Sequence, residues 1–571
     1  MKKLLLLVPV VLAALTFFAC DPDREDSTPG GGNNVSDEEF MENFGSAVSR
    51  DFIGQVVDAN DDPIQNATVK IGSSTVQTDE NGVFIINEAQ VHQKFAYVKA
   101  SKSGYIDGSR ALVPTSGKNN VKIMLLQSGA LETIQSGEES VVSIYSGTQV
   151  KFDGAFEDEN GVPYSGSVGV FMFHLTPSNE KISELQPGML YAETETGDEA
   201  VLQTFGMINV ELRGSGGQKL QIAEGHTAEI TMRIDDGQIA SAPATIPLWH
   251  FDENAGWWKE DGSATKQGNY YVGNVSHFSW WNCDVFESVV MLTVTVKDAN
   301  GNAVPNAVTY LEIAQNNLFS GTITTGSTGT AAGIVPSNVA LDLSVALPFC
   351  PTTVQSVSIA PTSTDLAVTV VMVDYSPEIF SISGELVSCS GSSTNGYLQV
   401  KVNGFINLFP VEGDFQISIG NCEAPEIFLV RSNNSSWTQF LVNGTENNIG
   451  VLPFCSSTTE FLVYKIDDQV ANVYVAGISA TFQNGQLNVN SGGTNPLGIT
   501  TSVTTPGVYD SAQFSLQYNG VTIPAAAMQQ TYVLNKFGSV GDYIDLVFYG
   551  TYTDLTGAHN LVGTAHVLRD E

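Results

Sequence analysis

The sequence predicts an all-β fold, a tandem array of about five β-sandwich domains behind an export signal and a flexible tether. Three observations predict it. Short runs such as FIGQVV (52–57) and ATVKIG (67–72) alternate apolar with polar residues, the period of a half-buried strand. Turn residues punctuate those runs, as in DDP (61–63) and ENG (80–82), in a chain with 54 glycines and few stretches long enough for a helix. A phrase also recurs, ALPFC (346–350) and VLPFC (451–455), as a tandem duplication would leave it. At roughly 100–150 residues per domain, 571 residues have room for four or five cores.

Lys2 and Lys3 precede an uncharged run from Leu4 to Ala19, followed by Cys20 and then Asp21, Asp23, Glu25 and Asp26. As a helix this run spans roughly 24 Å, short of the ~30 Å hydrocarbon core, so it reads as an export signal and not a permanent span. It resembles a bacterial lipoprotein signal; Ala19 and Cys20 fit the family's pattern, and Phe17 and Phe18 depart from it. The resemblance implies that residues 1–19 are a signal peptide and that Cys20 is lipidated and becomes the mature N-terminus. The alternative is an ordinary cleaved signal with an incidental cysteine. The acids after Cys20 resemble the export tag of surface lipoproteins in Bacteroidota-like bacteria, which implies an outward-facing place on the outer membrane. Residues 20–49 hold TPGGGNN (28–34) and show no apolar period, so they are expected to form the tether.

Charge excludes some partners. The net charge is −37, with 61 acidic against 24 basic residues, so a phosphate backbone or an acidic lipid surface would repel the chain. No nucleic acid is expected as a partner, and the only expected membrane attachment is the N-terminal lipid.

Residues 50–127 contain Gly54, Asp58, Pro63, Ala67, Thr78, Asp79, Gly82, Phe84, Lys102, Gly104 and Tyr105 in an order that resembles the carboxypeptidase regulatory-like domain, a small Ig-like β-sandwich. The resemblance implies a fold, and only weakly a function, because such modules are appended to many proteins. Residues 128–286 include Pro187-Gly188, Phe205-Gly206-Met207, Pro247-Leu248-Trp249, Gly256-Trp257 and the stretch from His277 to Asp284. These resemble the extracellular region shared by cartilage intermediate layer protein and related adhesion-type proteins, which implies a β-rich structural or adhesive module with no catalytic residues to carry over. Residues 287–376 repeat the scheme of the first sandwich, and 377–463 form a related one. Residues 464–571 read as a C-terminal sandwich or small barrel. Tandem sandwiches of this kind favour an extended rod.

Several residue groups are candidate sites. Trp249, Trp257, Trp258, Trp280 and Trp281 form a candidate glycan platform, or else fill the core between sheets. Strand neighbours point oppositely, so one member of each doublet is expected inside and the other exposed. His250 and His277 beside them read as hydrogen-bonded structural histidines. Candidate disulfides draw on Cys283, Cys350, Cys389, Cys422 and Cys455, five thiols that allow two bridges, with one bridge favoured within Cys389, Cys422 and Cys455. Acidic turns at 58–61, 79–82, 158–161 and 298–301 offer oxygen ligands for Ca2+, yet none completes an EF-hand, and turn chemistry explains them better.

Catalytic patterns are sparse. His226 and Glu229 form an H-x-x-E pair, but on a strand residues three apart face opposite ways and do not share a metal. No G-x-S-x-G elbow or phosphate-binding glycine loop occurs. The expectation is a non-enzymatic, lipid-anchored surface protein without cofactor, acting in adhesion, scaffolding or ligand capture. A carbohydrate-binding lipoprotein of glycan uptake is the alternative, and an uncharacterised hydrolase a more remote one.

Overall fold

The computed structural model describes residues 36–571 apart from 315–317, 327, 348–349, 374–377, 422–424, 434–435 and 457. The export signal, Cys20, the first part of the tether and Cys422 lie outside the described residues.

The chain is all-β, with strands gathered into pairs of sheets in every region but the second. The first pair is built from β1 (Ala47–Asp58), β2 (Thr68–Ile71), β3 (Ser74–Gln77), β4 (Val83–His92), β5 (Ala96–Ser101), β6 (Gly108–Leu112) and β7 (Lys118–Leu125). One sheet has the order β4-β1-β7, with β1 parallel to β7, and the other has the order β3-β2-β5-β6. The alternation read from the sequence produces the core: Phe52, Val56, Val69, Ile71, Phe84 and Val98 meet between the sheets.

The same seven-strand topology returns twice. Strands Val289–Asp298 to Leu366–Met372 repeat it, as do strands Glu378–Ser388 to Glu446–Phe454; in each, the first strand lies between the fourth and the seventh. The turn after the first strand is also shared. Isolated bridges join Val57 to Pro63, Lys297 to Ala303 and Val387 to Ser393, and Glu157 to Pro163 in the second region.

The second region, from strand Glu132–Gln135 to strand Trp280–Glu287, forms one sheet of 13 strands around a large core. Its longest strand, Glu199–Gly214, pairs with Trp280–Glu287 across a bulge between Thr204 and Met207. The last region packs a six-stranded sheet on a five-stranded one. It shares a core with the fourth region, where Phe461, Val463 and Val547 meet Val387 and Val451.

The extended rod expected from the sequence is not what the chain forms. The first sandwich touches the second region, where Tyr97 Oη donates to Glu253 O at 3.0 Å, the third, where Asn120 donates to Asn306 at 3.2 Å, and the fourth. The cause is visible in β1. Phe52 and Val56 face their own core, while Ile53, on the other face, packs with Val83 against Tyr397 of the fourth sandwich. A strand apolar on both faces is covered on both.

The last part of the expected tether, from Ser36 onward, instead belongs to the fold. Ser36 caps a helical turn, α1 (Asp37–Phe40), which runs into a 3-10 turn at Met41–Phe44 before β1 starts at Ala47. Phe40 and Phe44, both 1% exposed, supply the apolar spacing that a reading of the polar composition passed over.

Candidate functional site

The contacts that join the regions include developed polar and aromatic constellations. At the junction of the first and fourth sandwiches, Asp79 Oδ1 accepts the amides of Asn81 and Val83 at 2.9 and 3.0 Å. Its Oδ2 accepts the Tyr397 hydroxyl at 2.5 Å. Asn81 Nδ2 in turn donates to Tyr397 Oη at 2.9 Å and to Ser432 O at 3.0 Å. Burial pushes the Asp79 carboxyl above its ordinary range, against the pull of the Tyr397 hydrogen bond, and burial likewise pushes the Tyr397 phenol up. Both tyrosine and asparagine are 2% exposed, so the Tyr397 hydroxyl and the Asn81 amide depend on partners from the other region.

A second junction is aromatic. Phe40 and Phe44 enter a seam lined by Phe95, just before β5, and by Tyr191 and Trp257 of the second region. Phe44 stacks on Phe95 at 4.3 Å, and both Phe40 and Phe44 lie 5.3 Å from Trp257. Trp257 Nε1 donates to Glu193 Oε2 at 3.1 Å, and Lys259 Nζ reaches Asp37 at 2.7 Å. The segment Asp37–Phe44 is therefore fixed into the fold.

The glycan platform is not formed. Trp249, Trp257, Trp258, Trp280 and Trp281 are all 5% exposed or less, so none offers a ring face to a sugar. The expectation that one member of each doublet points outward fails because the strand Trp280–Glu287 is covered on both faces: Trp281 enters the large core of the second region, and Trp280 joins a separate cluster with Trp249, Phe251 and Trp258. Trp249 Nε1 donates to Asp284 O at 3.1 Å and Trp281 Nε1 to His277 O at 2.9 Å. His250 and His277 pack edge to face at 4.6 Å, and burial lowers His250 to about 3, with His277 adding to the shift.

His226 is engaged with Asp153, Nδ1 to Oδ2 at 2.6 Å, and Glu229 lies on the strand Ala228–Arg233, so the H-x-x-E pair forms no site. Among the described residues no three His, Cys, Asp or Glu side chains converge as in a metal centre. The acidic turns are Asx turns. Asp58, Asp158 and Asp298 each accept, through Oδ1, the amides two and four residues on at 2.8–3.0 Å, as Asp79 does.

Sequence reasoning missed buried acids, among them Asp284 and Asp545. Asp284, fully buried, is raised well above its ordinary range by desolvation, with a Thr204 hydrogen bond opposing; Asn282 Nδ2 donates to its Oδ2 at 2.6 Å. Nothing in the stretch WWNCD distinguishes it from an exposed strand acid. Cys389 and Cys455 form a disulfide within the fourth sandwich, Cys283 is a buried free thiol, and Cys350 opens the strand Cys350–Ile359.

No protein-family profile matches the chain. The chain is similar to cartilage intermediate layer protein 2 of Mus musculus, 25% identical over 230 residues, which is 38% of this chain and 20% of that protein. The Homo sapiens protein of the same name is 26% identical over 251 residues, covering 39% and 21%. The chain thus spans about a fifth of the length of these curated relatives. Among solved structures, a streptococcal ancillary pilin is 12% identical and covers 38% of this chain and 97% of its own, with a TM-score of 0.14. The major pilin subunit BcpA of Bacillus cereus is 10% identical and covers 57% and 99%, with a TM-score of 0.13. At such scores the pilins carry no argument about this chain. No helix among the described residues is long and apolar enough to cross a membrane.

Proposed function

We propose that the chain is a non-enzymatic surface scaffold or adhesive module, held at a membrane by lipid on Cys20 and facing outward. One observation carries this reading: the first sandwich is gripped by three other regions, through hydrogen bonds of which those to Tyr397 are buried, and through an aromatic seam that also fixes Phe40 and Phe44. Such an arrangement passes force from the anchor into several domains at once. The groups that sugar binding or metal chemistry would use are engaged in the fold: the tryptophans are buried and the turn carboxylates hold backbone amides. Similarity to proteins named for the cartilage intermediate layer supports an extracellular structural role.

The reading is tested with beads coated with residues 36–571. They are expected to be retained under flow on surfaces coated with extracellular protein and to bind nothing on a glycan array. Reproducible sugar binding without protein adhesion, or turnover of a substrate, would overturn it. In cells, Cys20→Ala is expected to move the protein out of the membrane fraction; unchanged fractionation contradicts the anchor.

A further inference from the structure

A cavity of about 550 Å3 lies where the first three regions meet, within the ~300–1,000 Å3 span of ligand cavities. Its apolar wall is the core of the third sandwich, including Leu292, Val294, Leu311, Val335 and Leu343. The three repeats show why that core is open. Gly54 faces Phe84 across β1 and β4 in the first, and Gly384 faces Phe415 in the fourth, but the third pairs Val294 with Ala331. Two residues along, the pairs Phe52–Ile86 and Ile382–Ile417 correspond to Leu292–Gly333. The third sandwich therefore lacks both a ring and a branched side chain that fill the equivalent positions. A Cβ at Gly333 would meet no atom within 4 Å.

Two polar groups complete the lining. Arg110 donates through Nη1 to Gln186 O at 2.5 Å and through Nε to Lys122 O at 3.3 Å, which leaves donors to spare. Gln186 is 8% exposed and its Oε1 has no partner. A buried acceptor left unpaired costs about 1–3 kcal/mol, and a ligand donor would relieve it. Glu180 and Glu184 also line the cavity, with Glu184 paired to Lys122 at 3.3 Å. These two acids offset the charges of Arg110 and Lys122, so the lining has no net positive charge to draw in a carboxylate.

We propose that this cavity binds a single-chain amphiphile: an acyl tail among the third-sandwich side chains, and a neutral head with a carbonyl for Arg110 and an O–H or N–H for Gln186 Oε1. The site goes beyond the scaffold role and does not depend on it.

The test is titration of the purified chain with 1-decanoylglycerol, followed by calorimetry and native mass spectrometry, with decanoate as comparator. A 1:1 complex is expected, at least tenfold tighter for the glyceride. Gly333→Ile, which fills the cavity, is expected to keep the melting temperature and weaken binding at least tenfold. Val294→Gly with Ala331→Phe, copying the glycine–ring pair of the other two repeats, is the second filling variant should the first fail to fold. No complex, or unchanged affinity in a folded filling variant, would overturn the site. Decanoate binding as tightly as the glyceride would overturn the head-group assignment.

Discussion

The hydroxyl of Tyr397 donates to Oδ2 of Asp79 at 2.5 Å, joining the fourth sandwich to the first across more than 300 residues of sequence. Tyr397 is buried and Asp79 half-buried, so removing either leaves the other short of a partner in a partly desolvated place.

Tyr397→Phe keeps the ring against Phe454 and deletes only the hydroxyl. It is expected to cost about 1–3 kcal/mol, since Asp79 and Asn81 both lose a buried partner. Denaturant titration of the purified chain measures the loss; a change below about 0.3 kcal/mol would show that the hydroxyl is solvated.

The same carboxylate makes this junction pH-sensitive. Desolvation holds Asp79 above its unfolded value of 3.8, so its contribution is fully present below that value and fades as pH rises through the folded one. Asp79→Asn removes the titration and is expected to gain on the parent protein as pH moves from acid to neutral. Parallel stability curves for the two proteins between those limits contradict the shift.

Phe40→Ala or Phe44→Ala is expected to cost about 3–5 kcal/mol where the seam cannot collapse. The segment before β1 would then become open to proteolysis. Cleavage sites mapped by mass spectrometry check this, and unchanged resistance in both variants would sink the claim that these rings fasten the N-terminal segment.

Replacing Cys389 and Cys455 by serine is expected to remove about 2–4 kcal/mol, because the bridge closes a loop with a sequence separation of 66. Reductant should lower the melting temperature of the parent and leave the variant unmoved. Cys283, whose thiol burial raises well above its ordinary range, should resist alkylation until the chain unfolds.

Much of the fold is legible in the sequence, because alternation and Asx-Gly turns act locally: ATVKIG and DENG become strand and turn as their patterns demand. The relation between the ALPFC and VLPFC regions is also readable, as is that of residues 287–376 to the first sandwich, and all three share one topology. What escapes is set by the path of the chain. Ile53 carries a weak sign of a second buried face, but its partner Tyr397 cannot be named from periodicity. The tryptophans mislead for the same reason, since outward on a strand means exposed only when no second layer covers it. Phe40 and Phe44 were hidden among acids, although their four-residue spacing after Ser36 is a helical signature.

The central claim, that the first and fourth sandwiches are docked as one unit, is tested most directly by hydrogen exchange on Tyr397→Phe. The account predicts faster exchange at the amides of Asn81 and Val83, which Asp79 holds, together with those of strand Asn395–Val402. Acceleration confined to the fourth sandwich, with the 79–83 turn unchanged, would contradict it.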